Sequence, residues 1–130
     1  MSTGKRRILL VDDEPSIIKM VGKRLEMKGF EVLIAMTGEE AITKAQAEHP
    51  DCIILDLMLP TMSGFEVCAR LKKDQRCGEI PVVVMFSGKG QEEDAQRCRE
   101  LGAAAYVTKT EGSTALLDHI QALLGENQSA

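Results

Sequence analysis

Five residues of this 130-residue chain combine type and position in a way that suggests chemistry. Asp12 and Asp13 follow the apolar run Ile8-Leu9-Leu10-Val11, and Asp56 follows Cys52-Ile53-Ile54-Leu55. Ser87 ends a third run, Ile80 to Phe86, and Lys109 follows a fourth, Ala104 to Val107. Singly, each has a plain structural reading. Asp-Asp caps a helix or makes a turn, Asp56 ahead of Pro60 sits in a loop, and one Lys is a solvated charge. Together they are three carboxylates, a hydroxyl and an ammonium at the ends of short apolar runs. Carboxylates packed together repel one another and do not serve stability. A hard divalent cation relieves that repulsion, and Mg2+ takes a few carboxylates together with waters and phosphate oxygens. With a hydroxyl to donate a hydrogen bond and an ammonium to neutralise an anion, the set suits metal-assisted phosphoryl transfer to a carboxylate nucleophile.

Such a set converges only if the apolar runs are parallel strands of one sheet. Between them lie segments of helical period. Pro15 opens a helix whose Ile17, Val21 and Leu25 share a face, and Gly29 stops it. Phe30 to Ala35 reads as the second strand. Thr37 and Glu40 have the spacing of a capping box for a helix running to about His49, which Pro50 breaks. Ser63 and Glu66 repeat the box before a helix with Phe65, Cys68 and Leu71 as its apolar stripe. Gln91 to Leu101 is helical but mostly charged, with only Ala95, Cys98 and Leu101 as an apolar edge. Ser113 can cap a last helix whose Leu116, Leu117, Ile120, Leu123 and Leu124 form the best apolar face, ended by Gly125. Five strands each followed by a helix predict an α/β fold, a parallel sheet covered on both faces by right-handed crossovers. In such sheets ligands bind outside the carboxyl ends of the strands, where the five residues fall.

Composition narrows the function classes. The length suits a single domain over residues 1–130, with a core of about 7–124 and a short tail from 125. Hydrophobic residues at 44% and charged residues at 28% exclude disordered, collagen-like and coiled-coil chains. No apolar stretch approaches the roughly 18–20 residues of a membrane span, and the N-terminus lacks a signal-peptide core. The expected location is the cytoplasm, without a membrane partner. Sixteen Lys+Arg against twenty Asp+Glu give a net charge of −4, and the aromatics are only Phe30, Phe65, Phe86 and Tyr106. Direct nucleic-acid binding is therefore not expected. Cys52, Cys68, Cys77 and Cys98 form no CxxC pair and lie away from His49 and His119, so they read as buried or incidental thiols in a reducing compartment.

With these residues in place, the chain resembles the receiver domain of two-component response regulators, of the single-domain, chemotaxis-regulator-like kind, from about Arg7 to Leu124. The resemblance is carried by Ile8 to Glu14, Asp56 to Gly64, Val82 to Gly88 and Gly102 to Lys109 in register. It implies a flavodoxin-like (βα)5 three-layer sandwich with strand order 2-1-3-4-5. It also implies Asp56 as phosphoacceptor, Asp13 as direct Mg2+ ligand, Asp12 as a ligand acting mainly through water, and the Met58 backbone carbonyl as a further ligand. Ser87 and Lys109 would engage phosphoryl oxygens beside the small Gly88, and Tyr106 would be the switch aromatic that follows Ser87 inward. The implied partners are a sensor histidine kinase or phosphotransfer protein, and a protein effector docking on the fourth helix, fifth strand and fifth helix. Slow self-dephosphorylation would be the only catalysis.

Two positions depart from the family pattern. The Lys89-Gly90 loop is unusually flexible in composition, and Thr110 follows Lys109 where the family has Pro in a cis bond. A cis bond costs about 0.5–1 kcal/mol before Pro but roughly 3–4 before Thr, so a trans bond rerouted toward Gly112 is the expectation. Among rival classes, a carboxylate-nucleophile phosphatase would carry a second Asp at position 58, which is Met58. A flavin carrier would have its phosphate repelled by Asp12-Asp13-Glu14. A receiver-like adaptor that works without phosphorylation remains the alternative.

Overall fold

Short runs without polar alternation pair into a sheet that is buried on both faces, and the longer segments between them must supply the cover. In the computed structural model, which describes residues 5–86, 92–108 and 112–124, the order is β1 (Arg7–Val11), α1 (Pro15–Met27), β2 (Glu31–Ala35), α2 (Gly38–Glu48), β3 (Cys52–Asp56), α3 (Gly64–Lys73), β4 (Val82–Phe86), α4 (Glu92–Glu100), β5 (Ala105–Thr108) and α5 (Gly112–Leu124). The strands are parallel in the order β2-β1-β3-β4-β5, the expected flavodoxin-like arrangement. No helix of the described residues is long and apolar enough to cross a membrane.

Successive side chains of a strand point to opposite faces, and the core divides accordingly. Leu9, Val11, Ile53, Leu55, Val82 and Val84 pack with Ala41 and Ala45 of α2, Val67, Cys68 and Leu71 of α3, and Cys98 of α4. Ile8, Leu10, Cys52, Ile54, Val83, Met85 and Val107 pack with Val21 and Leu25 of α1 and Leu116, Leu117 and Ile120 of α5. Each fully buried aliphatic side chain contributes about 1.5–3 kcal/mol relative to exposure, so the central strands carry most of the apolar stabilisation.

Local chemistry fixes the ends of the helices. Gly29, at φ 96°, closes α1: its N–H donates to the Glu26 carbonyl at 3.0 Å, and the Phe30 N–H donates to Leu25 at 3.1 Å. That is the two-bond glycine stop, completed by the apolar contact of Phe30 with Leu25 in one cluster. Gly102, at φ 102°, ends α4 in the same way through Arg99 and Cys98. Thr37 Oγ1 accepts from the Glu40 N–H at 3.1 Å, and Ser63 Oγ accepts from the Glu66 N–H at 3.3 Å. Glu40 reaches back one residue further than a closed box, accepting from the Met36 N–H at 2.8 Å. That bond, helped by Lys44 against some burial, holds the Glu40 carboxyl below its ordinary range.

Several expected boundaries shift. β2 begins at Glu31, because Phe30 is spent on the α1 stop. β4 begins at Val82, because Pro81 has no N–H and the Ile80 N–H turns back to Cys77. Asp56 is itself the last residue of β3, and β5 runs one residue later than expected. α5 spans Gly112–Leu124, and the expected Ser113 cap rests on a side chain outside the described ones. Val67 is buried on α3 while Phe65 is half-buried, and Leu123 of α5 is exposed. The proposed start of the fourth helix at Gln91, the Gly125 stop and the tail lie outside the described residues.

All four cysteines are free thiols and buried, as expected. Burial pushes Cys52 up to about 12 and Cys77 and Cys98 up to about 11, and raises Cys68 despite Lys72. A thiol that holds its proton more tightly when folded stabilises the fold fully below its ordinary value of 9.0, and this stabilisation is lost as pH rises through 11 to 12. Urea midpoints should therefore decline above pH 9, and less steeply in Cys52→Ala. A slope identical in the two proteins would overturn the assignment.

Candidate functional site

The β1–β3 register pairs Val11 with Leu55, so Asp12 and Asp56 leave neighbouring parallel strands side by side. The Asp12 N–H still donates to the Ala35 carbonyl at 3.1 Å, which holds it to the sheet edge. Both carboxylates are buried, Asp12 at 0% exposure and Asp56 at 2%, whereas Asp13 is exposed. Each buried carboxylate is oriented by a local turn. Asp12 Oδ1 accepts from the Glu14 N–H at 3.0 Å, just ahead of Pro15 at the start of α1. Asp56 Oδ1 accepts from the Met58 N–H at 3.1 Å.

Asp12, Asp13 and Asp56 can each offer a carboxylate oxygen such that all three lie within 4.8 Å of one another. Oxygens bound to one ion at 2.0–2.6 Å stand at most about 4–5 Å apart, so this hard-oxygen donor set fits a divalent cation. Three negative charges this close repel, and a cation is the natural counter-charge.

The loop after Asp56 is held closely against the strand. The Leu57 N–H donates to Met85 at 3.0 Å, and the Gly64 N–H donates back to Leu57 at 2.9 Å. A Cβ on Gly64 would lie 2.5 Å from Leu57 Cα and 2.6 Å from the Asp56 carbonyl oxygen. Gly64 thus lets the start of α3 close against the Asp56 backbone, a positioning role that sequence reading did not assign. Its only signal was a glycine just after the helix cap, where a better helix former would otherwise serve. Within the loop, Leu57 and Met62 are buried, Met58 is 61% exposed, and Thr61 adopts φ 65° beneath a Met62 N–H to Pro60 carbonyl bond of 2.7 Å.

Tyr106 stands on β5 opposite Val84 and packs, half-buried, against the core on the α2–α3–α4 side. The structure therefore brings together the three aspartates, sets Met58 beside Asp56, and places Tyr106 two strands away. Ser87, Gly88, Lys89, Gly90, Lys109 and Thr110, with the expected trans bond, lie outside the described residues. Burial pushes the Tyr106 phenol above its ordinary value of 10.0, and the charges of Asp94 and Cys98 add to this. Because the chain has one Tyr and no Trp, ultraviolet titration reads this group alone. Its midpoint should lie above 10.0 and fall in Asp94→Asn; an unmoved midpoint would remove Asp94 from its surroundings.

Comparison with known proteins identifies this arrangement. The response regulator receiver domain pattern matches residues 8–121. The chain is 42% identical over 118 residues to the DNA-binding dual master transcriptional regulator RpaA of Synechocystis sp., covering 91% of this chain and 48% of that protein. It is 38% identical over 125 residues to the alkaline phosphatase synthesis transcriptional regulatory protein PhoP of Bacillus subtilis, covering 96% and 51%. The chain thus spans about half the length of the curated relatives it matches. The solved chemotaxis response regulator CheY4 of Vibrio cholerae superimposes with a TM-score of 0.84 at 31% identity, covering 92% of this chain and 98% of that one. Sequence, topology and the acidic strand ends agree: the chain belongs to the response regulator receiver domain family, the phosphoacceptor domains of two-component signalling.

Proposed function

We propose that Asp56 is the residue phosphorylated in this receiver domain, with a sensor histidine kinase or phosphotransfer protein as donor. The observation that supports this most is the convergence of Asp12, Asp13 and Asp56, two of them buried, at the carboxyl edge of a parallel sheet. The Asp56 carboxylate attacks phosphorus, the P–N bond of the donor phosphohistidine breaks, and its electron pair stays on the imidazole nitrogen. The Met58 N–H on Oδ1 fixes the carboxylate plane during this attack. Asp12, Asp13, Asp56 and the Met58 carbonyl would hold Mg2+, which when bound offsets the negative charge gathered around the phosphoryl oxygens.

Ser87 and Lys109 would engage two of those oxygens, by resemblance to the family. Tyr106 would act as the switch residue, and the α4–β5–α5 face would present the change to a protein effector. The reading carries with it one receiver domain over 1–130 with its core at 7–124, a cytoplasmic setting, and no catalysis beyond slow self-dephosphorylation.

A small phosphodonor with Mg2+ should add one phosphoryl group, seen by intact mass and lost to hydroxylamine. Full labelling of Asp56→Asn would sink the assignment, and an unlabelled wild type that still binds Mg2+ would favour the phosphorylation-independent adaptor. Mg2+ should also raise thermal stability, by about 2.7 kcal/mol at a hundredfold excess over Kd. The gain should shrink more in Asp13→Ala than in Asp12→Ala and weaken in acid, as ligand carboxylates protonate. Equal gains in Asp13→Ala and wild type would remove Asp13 from the metal site.

A further inference from the structure

α4 is weakly anchored by apolar contact. Of its nine residues only Ala95 and Cys98 are buried, and the rest of its surface is charged apart from the polar Gln96. One of its two arginines, Arg99, folds back along the helix to Glu92 at 2.9 Å and Gln96 at 3.0 Å. The side chain of the other, Arg97, lies over the Phe65 ring of α3, with Cζ 4.0 Å from the ring centroid. A guanidinium at that distance is attracted by the ring face and stacks on it.

Phe65 is no ordinary surface ring. It follows Gly64, which abuts the Asp56 carbonyl and Leu57 Cα so closely that no Cβ fits between them. The Gly64 N–H is bonded to the Leu57 carbonyl, so Phe65 is joined through one residue to the backbone that follows Asp56. The ring also packs against the core cluster that contains Cys98. The contacts Asp56–Gly64–Phe65–Arg97 form an unbroken physical link from the candidate phosphoacceptor to α4.

We propose that Arg97 stacked on Phe65 is a latch that ties the position of α4 to the β3–α3 loop. On the receiver reading, on which this inference rests, a displacement of that loop reaches α4 without passing through Ser87 or Tyr106. Arg97 is here a positioning residue; it touches no reacting atom. A contiguous chain of contacts counts as coupling only when the coupling is measured.

Hydrogen exchange of the full chain, read at residues 57–64 and 92–100, measures it. Arg97 is exposed, so Arg97→Gln leaves the fold intact, and Phe65→Leu keeps an apolar side chain at a half-buried position. Without ligand, residues 92–100 should exchange roughly two- to five-fold faster in either variant. Arg97→Lys should fall between, and the double variant should be no faster than the singles. Equal exchange in the wild type and both single variants overturns the latch. With Mg2+ and beryllofluoride, residues 57–64 should gain protection in every variant, while the response of 92–100 should shrink only where the stack is lost. Protection at 57–64 with an unaltered response of 92–100 in Arg97→Gln overturns the latch and leaves the receiver reading standing. No protection at 57–64 in the wild type overturns the receiver reading and the transmission it would drive, while the ligand-free comparison still decides the stack.

Discussion

Two fully buried carboxylates and a third beside them, all within 4.8 Å, constitute a concentration of like charge that a small domain does not keep for stability. Much of the architecture follows from the need to hold them there. Asp12 and Asp56 are 44 positions apart in the sequence, and only adjacent parallel strands in the observed register bring both to one edge. Antiparallel pairing would send one of them to the opposite end of the sheet. Parallel pairing in turn requires crossovers, and the crossovers require helices on both faces. The paired i→i+2 turns, with Glu14 on Asp12 and Met58 on Asp56, finish the work by fixing each carboxylate plane.

Much of this was legible in the sequence, because burial on two faces leaves a plain mark. Ile8 to Val11 and Cys52 to Leu55 carry no polar alternation, and the aspartates end those runs abruptly. The helix stops were legible for the same kind of reason, since Gly29 sits where a left-handed residue was needed. What escaped was set by contacts between distant residues. Pro81 delays β4 because the Ile80 N–H has a better partner in a turn, and Leu123 is exposed because the core contacts of α5 are made by Leu116, Leu117 and Ile120. Gly64 and Arg97 escaped for this reason too. A glycine after a cap and an arginine on a charged helix look ordinary until Asp56 and Phe65 are placed against them.

Two of the covering helices are also unequal in a way that bears on switching. α5 buries Leu116, Leu117 and Ile120, and lifting it would expose three large aliphatic side chains. At about 1.5–3 kcal/mol each, that is roughly 5–9 kcal/mol. α4 buries only Ala95 and Cys98, two small side chains whose exposure costs a fraction of that. Driving a two-state element from 1:99 to 99:1 takes about 5.5 kcal/mol of differential interaction. A phosphoryl group on Asp56, as proposed, acts through a few charge-assisted contacts and could meet that figure for α4 but not for α5 on top of its core. The helix that moves should therefore be the one with the thinnest apolar seat. A helix so seated gains from any further contact that favours one position, and the contact of Arg97 with Phe65, in the role proposed for it, adds little to the cost of release.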